Sequence, residues 1–176
     1  DFDLVETDRK FGSHRKEMTW KEFDDAANRF ANLLISRGIT KGNKVAVLLM
    51  NSLEWLPIYF GVLRAGAVVV PLNYRYTADE IKYCLELAEA DVIVFGPEFI
   101  GRIELIFDRI PGVKIRLFVG QECPTFAESY AYQVQKYPTS NPNIPLTDQD
   151  DAAIYFSSGT TGFPKAIASI NAFGKP

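Results

Sequence analysis

Lys44-Val45-Ala46-Val47-Leu48-Leu49-Met50 is the stretch from which the fold is read. It is short, and its apolar residues fall at odd and even positions alike. Strict alternation would mark a strand with one wet face. A continuous apolar run of this length suits a strand buried on both faces, as in a parallel sheet covered by helices. Lys41-Gly42-Asn43 makes a turn into it. Working outward, the same kind of run recurs at residues 67–71, 90–95, 115–119 and 152–156. Helical signals fill the gaps. Thr19-Trp20-Lys21-Glu22 is a capping box, and Phe23, Ala26, Ala27, Phe30, Leu33 and Leu34 follow at helical spacing. This predicts a helix over 20–37, ended by Gly38, with Asp24, Asp25, Asn28, Arg29 and Asn32 facing outward. Asn51-Ser52 is the expected cap of a helix over 53–64, with Pro57 near its first turn. Thr77-Ala78-Asp79-Glu80 is a second capping box, ahead of Ile81, Cys84, Leu85 and Ala88. Pro97 suits a helix start, and Phe99, Ile103, Ile106, Phe107 and Ile110 form an apolar stripe that Pro111-Gly112 ends. Residues 126–134 read as a further short helix. Strands alternating with helices predict an α/β fold, a parallel doubly wound sheet with flanking helices.

The remaining segments are less regular. Residues 1–18 are polar, and residues 9–16 read as a turn between two short strands. They include His14, the only histidine, which reads as a solvated loop residue. Residues 137–151 carry Pro138, Pro142 and Pro145 among Thr, Ser and Asn, and read as a loop. Asp148, Asp150 and Asp151 at its end read as a solvated acidic turn rather than a metal site.

Composition excludes several classes. The chain has 176 residues, with 19 Lys+Arg against 22 Asp+Glu, so its net charge is −3. A mildly acidic balance gives no basic surface to follow a nucleic-acid backbone. Hydrophobic residues make up 47%, too many for a disordered tail. No stretch approaches the ~20 apolar residues of a membrane span. Cys84 and Cys123 form no CxxC pair and lack the histidines of a zinc site, so both are expected as reduced thiols in a cytoplasmic protein.

Ser157-Ser158-Gly159-Thr160-Thr161-Gly162-Phe163-Pro164-Lys165 directly follows the last apolar run. Its hydroxyls, its glycines and its lysine are the parts of a phosphate cradle. Glycine permits close backbone approach, consecutive amides can curl into an anion nest, and Lys165 adds positive charge. The carboxyl end of a buried strand is where open α/β sheets place ligands. It is not a Walker A loop, whose glycines are spaced differently. On the residues alone, a polar surface turn is the competing reading.

Tyr155 to Lys165, read as YFSSGTTGFPK, resembles the phosphate-loop signature of AMP-forming adenylating enzymes. Upstream text agrees in order: Thr19-Trp20 with Phe23, Ala27-Asn28-Arg29, the turn from Gly38 to Ala46, Asn51-Ser52-Leu53-Glu54, and Pro71-Leu72-Asn73-Tyr74-Arg75. The likeness covers residues 18–167. Pro-Leu-Asn followed by Arg75 is similar to fatty-acyl and aryl-CoA synthetases, whereas amino-acid adenylation domains more often have Pro-Leu-Asp-Pro.

The resemblance implies an acyl-CoA synthetase whose large N-terminal domain is covered in part by residues 1–176. Such an enzyme joins a carboxylic acid, fatty or aromatic, to AMP from ATP and then to coenzyme A, with Mg²⁺ at the phosphates. It implies ATP binding by Ser157, Ser158, Gly159, Thr160, Thr161, Gly162 and Lys165. It assigns no catalytic residue and no metal ligand within this chain, and Glu54 and Arg75 are expected to be structural. Two departures stand out. Ala166 replaces the usual glycine, and residues 168–176 (ASINAFGKP) lack the histidine of the helix that the family has there. The alternatives are an adenylation domain for an amino acid, a non-catalytic nucleotide-binding module, and an oligomerisation unit.

Overall fold

A computed structural model of the chain describes residues 16–157 and 164–170. The expected turn at residues 9–16, with His14, therefore falls almost wholly outside the described residues, as does the tail 171–176.

The chain runs α1 (Trp20–Ser36), β1 (Lys44–Leu48), α2 (Trp55–Arg64), β2 (Val68–Pro71), α3 (Ala78–Leu87) and β3 (Val92–Phe95). It continues through α4 (Ile100–Glu104), β4 (Ile115–Phe118), β5 (Glu128–Ser129), α5 (Tyr130–Val134), β6 (Asp151–Ser157) and β7 (Lys165–Ile170). The strands form one sheet in the order β5-β4-β3-β1-β2-β6-β7. Every neighbouring pair is parallel except β6 and β7.

β1 lies at the centre, with Val45 level with Val69 of β2 on one side and Val92 of β3 on the other. Its side chains divide by parity. Val45, Val47 and Leu49 join Phe30, Leu33, Ile58 and Val62 in one core, beneath α1 and α2. Ala46 and Leu48 join Ile81, Cys84, Phe99 and Ile103 in the other, beneath α3 and α4. β3 divides in the same way, Val92 and Val94 against Ile93 and Phe95. A strand with a core on each face has no position for a polar residue, which is why the run at 44–50 does not alternate. The doubly wound α/β sheet with flanking helices is therefore the fold of this chain.

Both capping boxes form, with the Thr19 and Thr77 hydroxyls accepting from the amides of Glu22 and Glu80. Gly66 ends the α2 turn at φ +75°, and a Cβ there would also crowd Ile144. That left-handed conformation favours glycine.

Several expectations need correction. Asn51-Ser52 does not cap α2. The helix begins later, at Trp55, behind a Glu54 that is already helical and makes no side-chain cap. Pro57 is thus its third residue, where the missing N–H has no intrahelical partner to lose. The stripe at 97–110 is not one helix. It breaks into α4 between 3₁₀ turns at Pro97–Phe99 and Phe107–Arg109. Phe99, Ile103, Ile106 and Ile110 are buried, but Phe107 is exposed. Residues 126–134 open with the short strand β5, and only α5 is helical.

The outward face assigned to α1 is the largest correction. Asn28 is 2% exposed. Its amide donates to the Thr139 carbonyl at 2.8 Å. Arg29 donates to the Gln135 and Tyr137 carbonyls, and Asn32 to those of Pro138 and Ser140. The loop expected at 137–151 is a loop up to Asp150, but these three side chains strap it onto α1. The polar stripe of α1 thus supplies the hydrogen bonds that a segment without regular structure needs. Lastly, β7 at Lys165–Ile170 is a strand that the sequence reading did not include, and it runs antiparallel to β6.

Candidate functional site

The stem of the glycine-rich segment is a β-hairpin. β6 enters parallel to β2, so its carboxyl end shares the sheet rim with those of β1, β3 and β4. β7 returns in register from Ser157 opposite Lys165 to Tyr155 opposite Ile167. The hairpin therefore brings Ser157 and Lys165 together at the mouth of the segment. Both are exposed, and the Lys165 ammonium has no ion-pair partner among the described residues. A lysine in that state suits a phosphate anion. Ser158, Gly159, Thr160, Thr161 and Gly162 lie outside the described residues.

A hydrogen bond between two tyrosine hydroxyls ties the stem to the helical layer. The Tyr155 hydroxyl lies 2.8 Å from that of Tyr59 in α2, and Tyr59 stacks on Trp55 at 5.5 Å. Burial, then the hydrogen bond to Tyr155, pushes the Tyr59 phenol well above its usual range, so the Tyr59 ring stays neutral.

The other polar candidates have structural partners. Asp150 accepts from the Thr147 amide and pairs with Lys41 at 2.8 Å, and these bonds hold its carboxyl below the usual range. Among the described residues no three His, Cys, Asp or Glu side chains gather where they could hold a metal. Arg75 donates to the Tyr74 hydroxyl and lies over its ring. Cys84 and Cys123 are free thiols. No helix among the described residues is long and apolar enough to cross a membrane.

A second feature of the rim has no counterpart among the sequence-predicted site residues. From β1 the chain moves to β2 on one side, then crosses to β3 on the other. Such a reversal opens a crevice between the carboxyl ends of the two strands. Here that crevice is a cavity of about 450 Å³. Leu49 and Gly96 line it directly beyond β1 and β3, joined by Ser52, Glu54, Glu98 and Tyr130. Glu54 was expected to be structural, yet it makes no side-chain cap and faces this crevice. Strand order is the signal that exposes it, and strand order is invisible in a single apolar run.

Comparison with known proteins bears on the whole chain. The sequence pattern of the AMP-binding enzyme family matches residues 5–169. The chain is 31% identical over 151 residues to the long-chain-fatty-acid–CoA ligase FadD13 of Mycobacterium tuberculosis, covering 85% of this chain and 29% of the ligase. It is 30% identical over 156 residues to the medium/long-chain-fatty-acid–CoA/3-oxocholest-4-en-26-oate–CoA ligase of Mycolicibacterium smegmatis, covering 86% of this chain and 28% of that enzyme. Its fold superposes on the anthranilate CoA ligase AuaEII, crystallised with anthranoyl-AMP, with a TM-score of 0.85 and 29% identity, covering 88% of this chain and 30% of that one. The chain thus spans under a third of the length of these relatives. With the match running through both halves of the sheet and the hairpin at its rim, the chain belongs to the AMP-binding enzyme family.

Proposed function

We propose that this chain is the front portion of an ATP-dependent, AMP-forming acyl-CoA synthetase, and that it carries the loop that holds the ATP phosphates. The observation that carries the reading is the hairpin mouth, where Ser157 stands opposite Lys165, which has no ion-pair partner among the described residues, at the carboxyl rim of the sheet. The relatives named above are ligases of fatty and aromatic acids, which supports a carboxylic acid substrate of that class.

The reaction has two steps. A carboxylate oxygen attacks the α-phosphorus of ATP, and pyrophosphate leaves. The coenzyme A thiol then attacks the acyl carbon, and AMP leaves with its oxygen. This chain's part is positional. The hydroxyls and amides of Ser157, Ser158, Thr160 and Thr161 would donate to the β- and γ-phosphates. Gly159 and Gly162 would let the backbone approach, and Lys165 would neutralise charge as pyrophosphate departs. Donors fixed where charge accumulates lower the barrier without reorganisation. Mg²⁺, arriving with the nucleotide, would supply further phosphate neutralisation. We place the reaction in the cytoplasm, which suits two unbridged thiols.

The test is carboxylate-dependent ATP–pyrophosphate exchange by the protein that carries this chain, with a panel of fatty, aromatic and amino acids. Exchange with a fatty or aromatic acid is expected. Lys165→Ala should lower it by about 10²-fold, the scale for losing one oriented charge-stabilising group. Exchange with no carboxylate overturns the reading, and exchange with amino acids alone reassigns the branch.

A further inference from the structure

The crevice between β1 and β3 combines four features. Its position is the one where a sheet of this topology opens toward a ligand. Its volume of about 450 Å³ fits a small organic molecule. Tyr130 lines it, is only 6% exposed, and is pinned by an edge contact with Phe30 at 5.4 Å. Among the described residues its hydroxyl has no hydrogen-bond partner. The Ser52 hydroxyl, also on the lining, is buried and has no partner either.

Buried hydroxyls without partners are rare, because each forgoes its hydrogen bonds to water. Ser52 is such a group, and together with the unpartnered Tyr130 hydroxyl on the same lining it points to a ligand that completes both. The charges define its chemistry further. Glu54 and Glu98 line the crevice, and neither carboxylate has an ion-pair partner among the described residues. The nearby Glu54 carboxylate reinforces burial in pushing the Tyr130 phenol up, so Tyr130 stays a neutral donor. Against the single ammonium of Lys16 on the same lining, the two carboxylates still disfavour an anion. They accept well from adjacent hydroxyl groups, because one carboxylate can take a hydrogen bond from each. Leu49 and Val119 offer an apolar wall to the rest of the molecule.

We propose that this crevice is a second ligand site, for an uncharged molecule of about nucleoside size that presents two adjacent hydroxyls. Glu54 and Glu98 accept from the diol, while Tyr130 and Ser52 bond its remaining oxygen or nitrogen acceptors. The site is separate from the phosphate loop and stands or falls independently of the acid-activation reading. A nucleoside and a simple sugar share this chemistry, and the probes below tell them apart.

The test is hydrogen–deuterium exchange read by mass spectrometry on the protein that carries this chain. The probes are adenosine, methyl β-D-ribofuranoside and 2′,3′-dideoxyadenosine, with affinities from the same titrations. Adenosine is expected to protect residues 49–54 and 130–135, with the dideoxy analogue about tenfold weaker or worse. Equal protection by the ribofuranoside identifies a sugar ligand, and protection by adenosine alone identifies a nucleoside. Glu54→Gln should weaken the protecting probe about tenfold and Tyr130→Phe about fivefold, while Lys165→Ala leaves it unchanged. Two results overturn the proposal. One is no protection of these segments by either diol up to about 10 mM, a range that covers weak small-molecule binding. The other is protection that the dideoxy analogue matches or that Glu54→Gln leaves intact.

Discussion

Replacing Asn28 with alanine should detach the loop at 137–140 from the first helix. The side-chain amide of Asn28 makes three hydrogen bonds: to the Thr139 carbonyl at 2.8 Å, to an Asp24 carboxylate oxygen at 3.2 Å, and from Arg64 at 2.7 Å. Arg64 keeps two contacts with Asp24, to its carbonyl and its carboxylate, so it is not stranded. The Asp24 carboxylate is itself exposed and recovers water. The loss therefore concentrates on the buried amide and the Thr139 carbonyl. Two net hydrogen bonds at about 0.5–1.5 kcal/mol each, plus partial desolvation of that carbonyl, give about 2–4 kcal/mol. Asn28→Asp separates the contributions. It keeps an acceptor for Arg64 but sets a carboxylate against the Thr139 carbonyl and the Asp24 carboxylate, and should destabilise at least as much. Urea unfolding gives the stability change, and limited proteolysis at residues 135–145 gives the local one. A loss under about 0.5 kcal/mol, the ordinary scatter of surface substitutions, with unchanged cleavage would refute the strap.

Three further outcomes are expected. Burial, reinforced by Glu80, pushes the Cys84 thiol up to about 12, so iodoacetamide near neutral pH should label Cys123 well before Cys84 in the native protein, as read by intact-peptide mass. Gly61→Ala places a Cβ 2.8 Å from the Ala27 carbonyl and 2.9 Å from the fully buried Phe30 ring. Overpacking between α1 and α2 should outweigh the helix-propensity gain, for a net loss of about 1–2 kcal/mol by denaturation. Arg37 grips Glu128 through two hydrogen bonds, at 2.8 and 3.1 Å, and holds its carboxyl below the usual range. A depressed folded-state pKa adds stability above the unfolded value, about 4.3, and loses it as pH falls through the folded value. The stability gap between the native protein and Arg37→Met should therefore narrow as pH drops below about 4.3.

What could be read in the chain follows from where the physics is local. The run at 44–50 and its repeats needed only their own residues to declare a doubly covered sheet. Thr19 with Glu22, and Thr77 with Glu80, are capping boxes closed within one turn. Asn28 looked solvent-facing because its partner lies 111 residues away, on a segment with no pattern of its own. Strand order failed to appear for the same reason, since nothing within a strand names its neighbours. The candidate site divides likewise. Ser157 and Lys165 sit in one continuous signature. Ser52, Glu54, Glu98 and Tyr130 gather only once β1, β3 and β4 lie side by side. The hairpin of β6 and β7 lay between these cases, because its second strand carries no buried residue to announce it.

That hairpin has an uneven hold on the rest of the molecule. Within itself it is zipped by six registered pairs, yet it meets β2 at a single one, Val69 with Ala153. Its outer strand is exposed along its whole length. Among the described residues the hairpin's side-chain hydrogen bond inward is the Tyr59–Tyr155 hydroxyl pair. The inner strand is nonetheless seated in both cores, with Ala152 and Ala153 in one and Ile154 and Phe156 packed against the other. The hairpin is thus a spacer clamped at its base, and its registered pairs keep the Ser157 hydroxyl and the Lys165 charge at one mutual distance.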